Sequence, residues 1–281
     1  MDRRTERLVT GWLATYASAN TRAAYRRDVE RFVDWCASTG RAPLSAGPAD
    51  IDAYRDESLS DGAGPATVAR RLAGISSFFR FATESGALRS DPVEGVERPA
   101  SPDPGDAPVL DGEEVRALLA SAHDVGTKAA ALVALLALEG LKLGETLAMD
   151  VRDASLRRAP ASVAVIRRGD RTSVPISATT SALLAAYVGR RRSGPLFLSD
   201  SPIPHAKSPT RLTRFGADFI LKRIGSTANI DKPISAATLR RSYIAEAHRS
   251  GTPTPEISRQ VGHRQVRETV RFLPRDELPG G

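Results

Sequence analysis

Apolar residues recur at helical spacing through the first hundred residues, and no stretch there alternates like a strand. Leu8, Trp12, Leu13 and Tyr16 place one helix within residues 3–19. Asn20-Thr21 reads as the N-cap of a second, Thr21 to Ser38, with Ala24, Tyr25, Val29, Phe32, Val33 and Trp35 along one side. Residues 49–59 and 65–85 predict two more, parted by Gly62 and Gly64, with Pro65 in the first turn of the last. The pattern is that of a compact all-helical unit.

Pro99, Pro102, Pro104 and Pro108, with Asp103 and Gly105, then predict a stiff extended linker over residues 99–108, between a domain of residues 1–98 and one of 109–281. Asp111 caps a helix through Ala122, with Glu113 and Glu114 in the first turn, where the helix dipole favours anions. Thr127 to Glu139 is apolar nearly all round and predicts a buried helix. Ala161 to Ile166 and Arg171 to Ile176 are β-like runs joined at Gly169-Asp170, a hairpin signal. Further helices are expected over residues 178–192, 211–226, 235–250 and 253–261. The chain therefore reads as mainly α: an all-helical N-terminal domain, then an α+β domain with a small antiparallel sheet. No internal repeat is visible.

Composition narrows the classes. The chain is 41% hydrophobic and 26% charged, a globular balance. Its longest apolar run, Ala129 to Leu138, is too short to span a bilayer, and no charged-then-apolar leader is seen, so no membrane partner is expected. The single cysteine, Cys36, has no internal disulfide partner and fits a reducing cytoplasm. No Cys/His cluster has metal-ligand spacing, so neither a metal nor another cofactor is expected. Only five of the 40 basic residues are lysine, which with abundant alanine fits a GC-rich bacterial genome.

The net charge of +7 is unevenly placed. Residues 1–100 carry 14 Arg and 14 acidic residues, so the excess lies beyond them. Nine Arg fall between Arg152 and Arg192, against Asp153 and Asp170. A solvated basic face has this composition. So does a polyanion surface, because arginine clusters displace counterions from phosphates.

Longer stretches are more specific. NTRAAYRRDVERFVDWCASTG and ATVARRLAGISSFFRFATESGALRSDPVEGVERP in the first domain are followed by LEGLKLGETLAMDVRD, IRRGDRTSVPI, SAATLRRSYIAEAHRSG and QVGHRQVRETVRF in the second. In this order they resemble the tyrosine recombinases, or phage integrases, of the Xer-like kind. Gly251 and His263 also keep that family's twelve-residue separation. The resemblance spans nearly the whole chain. It implies a SAM-like core-binding domain, a catalytic-like domain and double-stranded DNA as partner. It also implies metal-free chemistry by six side chains. Two arginines hold the scissile phosphate, and a hairpin lysine protonates the leaving oxygen. Two further groups, commonly His, handle protons, and a tyrosine attacks phosphorus.

Carried onto this chain, the set is depleted. The first arginine position is Lys142, a cation without the planar fork. The hairpin lysine position is Arg168, a poor proton donor. Arg167 is the alternative there, because the hairpin is one residue shorter than usual. The first histidine position is Ala237. Arg240 and His263 are retained. The nucleophile position, nine residues after His263, is Phe272, which has no oxygen. Of the five tyrosines, Tyr16, Tyr25, Tyr54, Tyr187 and Tyr243, none follows His263.

The expected function is sequence-selective DNA binding by a catalytically degenerate family member, associated with the nucleoid in the cytoplasm. Its companions on DNA would be an active recombinase or a second copy, and no small-molecule substrate is expected. Lys142, Arg168, Arg240 and His263 are the phosphate candidates. Arg26, Arg27, Arg70, Arg71, Arg80, Arg211, Arg214, Arg223, Arg241 and Arg264 are the wider DNA-facing candidates. Plain structural readings stand beside these: Lys142 as a solvated residue at a helix junction, Arg240 as a structural cation, Gly262-His263 as a helix stop, Phe272 as an anchor. Three other functions stay open: an active recombinase with a displaced or partner-supplied tyrosine, a deliberately inactivated one, and a scaffold that does not touch DNA. The short stretch after Phe272, with Pro274 and Pro279, predicts a monomer in solution.

Overall fold

The structure, a computed structural model, describes residues 1–99, 107–200 and 210–273. Two compact units divide the chain between Pro102 and Asp103. Most of the expected linker, including Pro102, Asp103, Pro104 and Gly105, lies outside the described residues. So do Pro274 and Pro279.

The first unit holds α1 (Arg3–Ala14), α2 (Ala19–Ser38), α3 (Pro48–Ser60) and α4 (Pro65–Glu84). Asp2 caps α1 by accepting from the backbone N–H groups of Arg4 and Thr5. The second helix starts earlier than Asn20-Thr21 predicted. Ser18 caps it instead, its hydroxyl accepting from the Thr21 N–H at 3.3 Å. Serine and asparagine cap about equally well, and the serine came first along the chain. Trp12, Val29, Phe32, Leu72, Ile75 and Phe79 are buried in the middle of this unit. Trp12 stacks on Tyr25, with ring centroids 5.5 Å apart, and meets Phe78 edge-on, which ties α1, α2 and α4 together.

The second unit runs α5 (Gly112–Val125), α6 (Thr127–Ala137), α7 (Leu143–Ala148), β1 (Ala154–Ser155), β2 (Ser162–Arg167), β3 (Asp170–Pro175), α8 (Ala178–Val188), α9 (Arg214–Thr227), α10 (Ala236–Arg249), α11 (Thr254–Val261) and α12 (Val266–Val270). Asp111 caps α5 through the N–H groups of Glu113 and Glu114. Every residue of α6 from Ala129 on is buried, and the helix packs against α5, α8 and α10. The sheet is antiparallel in the order β1-β2-β3, with Arg167 opposite Asp170. Its hairpin turn is Arg168-Gly169, one residue earlier than Gly169-Asp170. Both turn residues take positive φ, 58° and 94°, as a tight two-residue hairpin requires. The molecule is thus mainly helical with one small sheet, as the periodicities implied. No helix among the described residues is long and apolar enough to cross a membrane.

Candidate active site

The site gathers around the turn between α6 and α7. Gly140 makes that turn at φ +63°, and a Cβ there would sit 2.3 Å from the Tyr243 ring, so only glycine fits. The turn delivers Lys142 to the N-cap position of α7, where its backbone N–H donates to Glu145 Oε2 at 3.3 Å. The lysine keeps solvent contact, yet its pKa is lowered. The protein mass around it is the chief cause, Glu145 opposes, and Arg240, Arg167 and Arg168 add to the lowering.

Arg240 lies in the first half of α10. Its guanidinium donates to the Gly140 carbonyl and, at 2.6 Å, to the Val261 carbonyl. It therefore bridges the α6–α7 turn and the end of α11, with no acid as direct partner among the described residues. Burial pushes its pKa down to about 10, which leaves it charged at neutral pH. Ala237, one turn earlier, offers only an exposed methyl group.

Gly262 ends α11 in the left-handed conformation, φ +71°, and aims the next residue back toward the site. That residue is His263, whose Nδ1 lies 2.8 Å from Thr269 Oγ1 on α12. Burial and then the Arg240 charge push the imidazole down to about 4. Glu268 opposes, and Lys142 and Arg167 add to the lowering, so the ring is neutral at pH 7. The Phe272 ring stacks on it at 5.3 Å, and the Arg241 guanidinium stands 6.0 Å from the Phe272 centroid. Phe272 also packs with Tyr243 and Ala247 against Ile244, Ile257 and Val261.

The two hairpin arginines part company. Arg167 continues the inward face of β2 after Val163 and Val165. Its guanidinium forks onto Glu145 at 3.1 and 3.2 Å and donates to the carbonyls of Arg259 and Gln260 at 3.1 and 2.9 Å. The pair is enclosed, with side chains 10% and 7% exposed. A Cβ at Gly262 would come within 2.5 Å of Arg167 Nε, so the guanidinium rests directly against that glycine. Arg168 is exposed at the hairpin tip, near enough for its charge to act on Lys142.

Lys142, Arg167, Arg168, Arg240 and His263 thus share one electrostatic neighbourhood. Glu145 is engaged by Arg167, and Glu268 accepts from the Arg264 N–H at 3.2 Å. Such an arrangement can hold an anion. Among the described residues, Phe272 carries no nucleophilic atom, and the Tyr243 hydroxyl is pushed up to about 12 by burial and by Glu139 and Glu256. Tyr243 lines a cavity of about 390 Å³ between β3, α10 and α11.

The wider arginines differ in freedom. Arg80, Arg214, Arg223 and Arg264 are exposed, and so is Arg27, whose Nε bonds the Ala23 carbonyl at 3.1 Å. Arg26 pairs with Glu6 at 3.1 Å, and Arg70 with buried Asp28. Arg71 has a buried Nε without a partner among the described residues. Arg241 is half-buried and donates to the Pro108 carbonyl at 3.4 Å. Arg211 departs most from a DNA-facing place: its donors go to the carbonyls of Leu147 and Met149, both at 2.7 Å, and to Asp150 at 2.6 Å, bracing the end of α7. Sequence reasoning passed over Glu145 and Thr269 and, beside Arg168, held open only as an alternative the inward Arg167. The strand alternation of Val163 and Val165 points to the last of these, since residue 167 shares their face.

The sequence profile of the phage integrase family matches residues 108–277, and that of the phage integrase N-terminal SAM-like domain matches residues 11–86. The chain belongs to the phage integrase family. Among its relatives, tyrosine recombinase XerD of Listeria monocytogenes is 28% identical over 261 residues, covering 90% of this chain and 86% of the relative. XerD of Caulobacter vibrioides is 29% identical over 265 residues, covering 90% and 85%. The solved Tn1549 transposon integrase in complex with circular intermediate DNA superposes with a TM-score of 0.73 at 14% identity, over 96% of this chain and 94% of that one. A lambda integrase dimer bound to a COC' core site gives 0.70 at 14%, over 93% and 94%. At that identity the likeness is one of fold, and the fold is the tyrosine recombinase fold that the ordered motifs implied.

Proposed function

We propose that this family member binds double-stranded DNA, holds a backbone phosphate at Lys142, Arg168, Arg240 and His263, and does not cut the strand. One observation carries the reading: the position of the family's nucleophile is a carbon-only ring, Phe272, seated on His263. A phenyl ring has no oxygen with which to attack phosphorus and form a phosphotyrosine-type ester. Ala237 supplies no proton, and Lys142 has no bidentate grip. The retained cations favour an anion, and most of the affinity would come from phosphate contacts. Arg27, Arg80, Arg214, Arg223 and Arg264 are the best placed to add to it, because they are exposed and make no ion pair among the described residues. Arg26 and Arg70 are paired with acids, and Arg211 braces the fold. Such a protein would mark a site in the nucleoid of the cytoplasm, or regulate a working recombinase beside it.

The second reading is an active recombinase. The full-length likeness to XerD favours it. A tyrosine donated by a partner subunit would supply the missing oxygen, but not the groups lost at Ala237 and Lys142. The two readings separate on a suicide duplex that traps covalent intermediates. The proposed function expects retention of this duplex in native gels, with log affinity falling linearly against log salt, and no protein–DNA adduct after denaturation. Recovery of an adduct would overturn it in favour of the active enzyme. Absence of binding even at low salt would favour a scaffold.

A further inference from the structure

Helix α9 exposes two phenylalanines where a surface helix ordinarily carries polar side chains. Its core face is Ala217, Ile220, Leu221, Ile224 and Gly225, all buried. At the helical period, Phe215, Phe219, Lys222 and Ser226 fall on the opposite face. Phe215 is 82% exposed and Phe219 60%, more than any other large hydrophobic among the described residues. Arg214 and Arg223 flank this row and Lys222 continues it, all three exposed, and Asp218 is the one acid within α9.

Two neighbouring phenyl rings in water forgo the burial that the rest of the helix obtains, so the face is suited to a partner. Three cations against one acid on this helix favour an anionic partner over a neutral one, and the DNA-binding reading makes that partner a duplex. The major groove of B-form DNA admits an α-helix, and the apolar feature it offers to a phenyl ring is the 5-methyl group of thymine. Resting on the DNA-binding reading above, we infer that α9 enters the major groove, that Phe215 and Phe219 read thymine by its methyl group, and that Arg214, Lys222 and Arg223 hold the bordering phosphates. The two aromatic residues are four positions apart, a rise of roughly 6 Å. That matches about two base steps at ~3.4 Å each, so the bound site should carry two thymines at that separation.

The test uses the full chain and duplexes it selects from a random-sequence pool. The best duplex is then made in two forms, with thymine or with deoxyuridine, which lacks only the methyl group. The deoxyuridine form should bind about fourfold more weakly for each methyl contacted, the effect of burying one such group. A Phe215→Ala/Phe219→Ala variant should bind both forms alike, with an unchanged melting temperature and salt slope, because the cations remain. Equal binding of both forms by the parent would overturn the thymine reading and leave DNA binding intact. So would self-association of the parent that the double variant abolishes without changing its discrimination, since the face would then join two copies. Failure of the parent to bind any duplex would strike the DNA-binding reading itself.

Discussion

The Phe272 ring lies on the His263 imidazole, centroids 5.3 Å apart and planes 21° from parallel. The contact joins the residue that we assign to the nucleophile position to the histidine that the motif comparison assigns to the same site. It also explains how α12, only five residues long, keeps its place: Thr269 within it bonds the same imidazole at Nδ1, and Phe272 just beyond it covers the ring face.

Restoring the hydroxyl alone should change little. Phe272→Tyr keeps the stacking but leaves Ala237, Lys142 and Arg168 as they are. DNA affinity should stay near the parent value, and recombination of a two-site plasmid should remain at background. Efficient recombination by this revertant would mean that those positions were assigned wrongly.

Arg240→Ala should weaken DNA binding by roughly 1–3 kcal/mol, the range for losing a charge-assisted hydrogen bond. The slope of log affinity against log salt should fall by about one. Arg157→Ala, at an exposed position, should cost much less in a titration on the same duplex. Equal effects from the two would deny Arg240 any special place at a phosphate.

Glu145→Gln should destabilise the second unit strongly. It leaves the enclosed Arg167 without its counter-charge, and breaking one side of a buried ion pair costs about 3–5 kcal/mol. Arg26→Ala removes a partly exposed pair with Glu6 and should cost less than about 1 kcal/mol. Urea unfolding of both variants makes the comparison. Similar midpoints would show the Arg167–Glu145 pair to be dispensable.

His263 should give stability a pH dependence of definite sign. Its pKa in the fold is about 4, below the ordinary value of 6.5, chiefly because it is buried, with Arg240, Lys142 and Arg167 also against protonation and Glu268 for it. Between those values the unfolded chain holds a proton that the native state does not, so this contribution rises with pH from about 4 to 6.5 and is level above. In His263→Gln that part of the slope should vanish. A phosphate beside the ring would favour the imidazolium, so the NMR-titrated pKa of His263 should climb when DNA is added. No movement would place the phosphate elsewhere.

Much of this was readable from residue spacing, and the exceptions have physical causes. Helices of three turns or more announced themselves, because several apolar positions repeat within them. The short α7 and α12 and the two-residue β1 did not, since none is long enough to display a period. The meeting of Lys142, Arg240 and His263 followed from the family motifs. What those motifs left open was which hairpin arginine faces in. Residue 167 falls in phase with Val163 and Val165, but an arginine on an inward face needs a waiting carboxylate, and only the folded chain brings Glu145 to it. Arg211 shows the same limit: its partners are the carbonyls of Leu147 and Met149, and backbone acceptors leave no mark on a sequence.

Arg167 has a mechanical meaning as well. It grips the last carbonyls of α11 while resting on Gly262, the residue before His263. Hairpin and imidazole are thereby geared together. One side chain therefore ties the strand below the hairpin tip to the turn that carries the ring. A hairpin free to swing would need this clamp released first, which makes residue 167 the latch between the two.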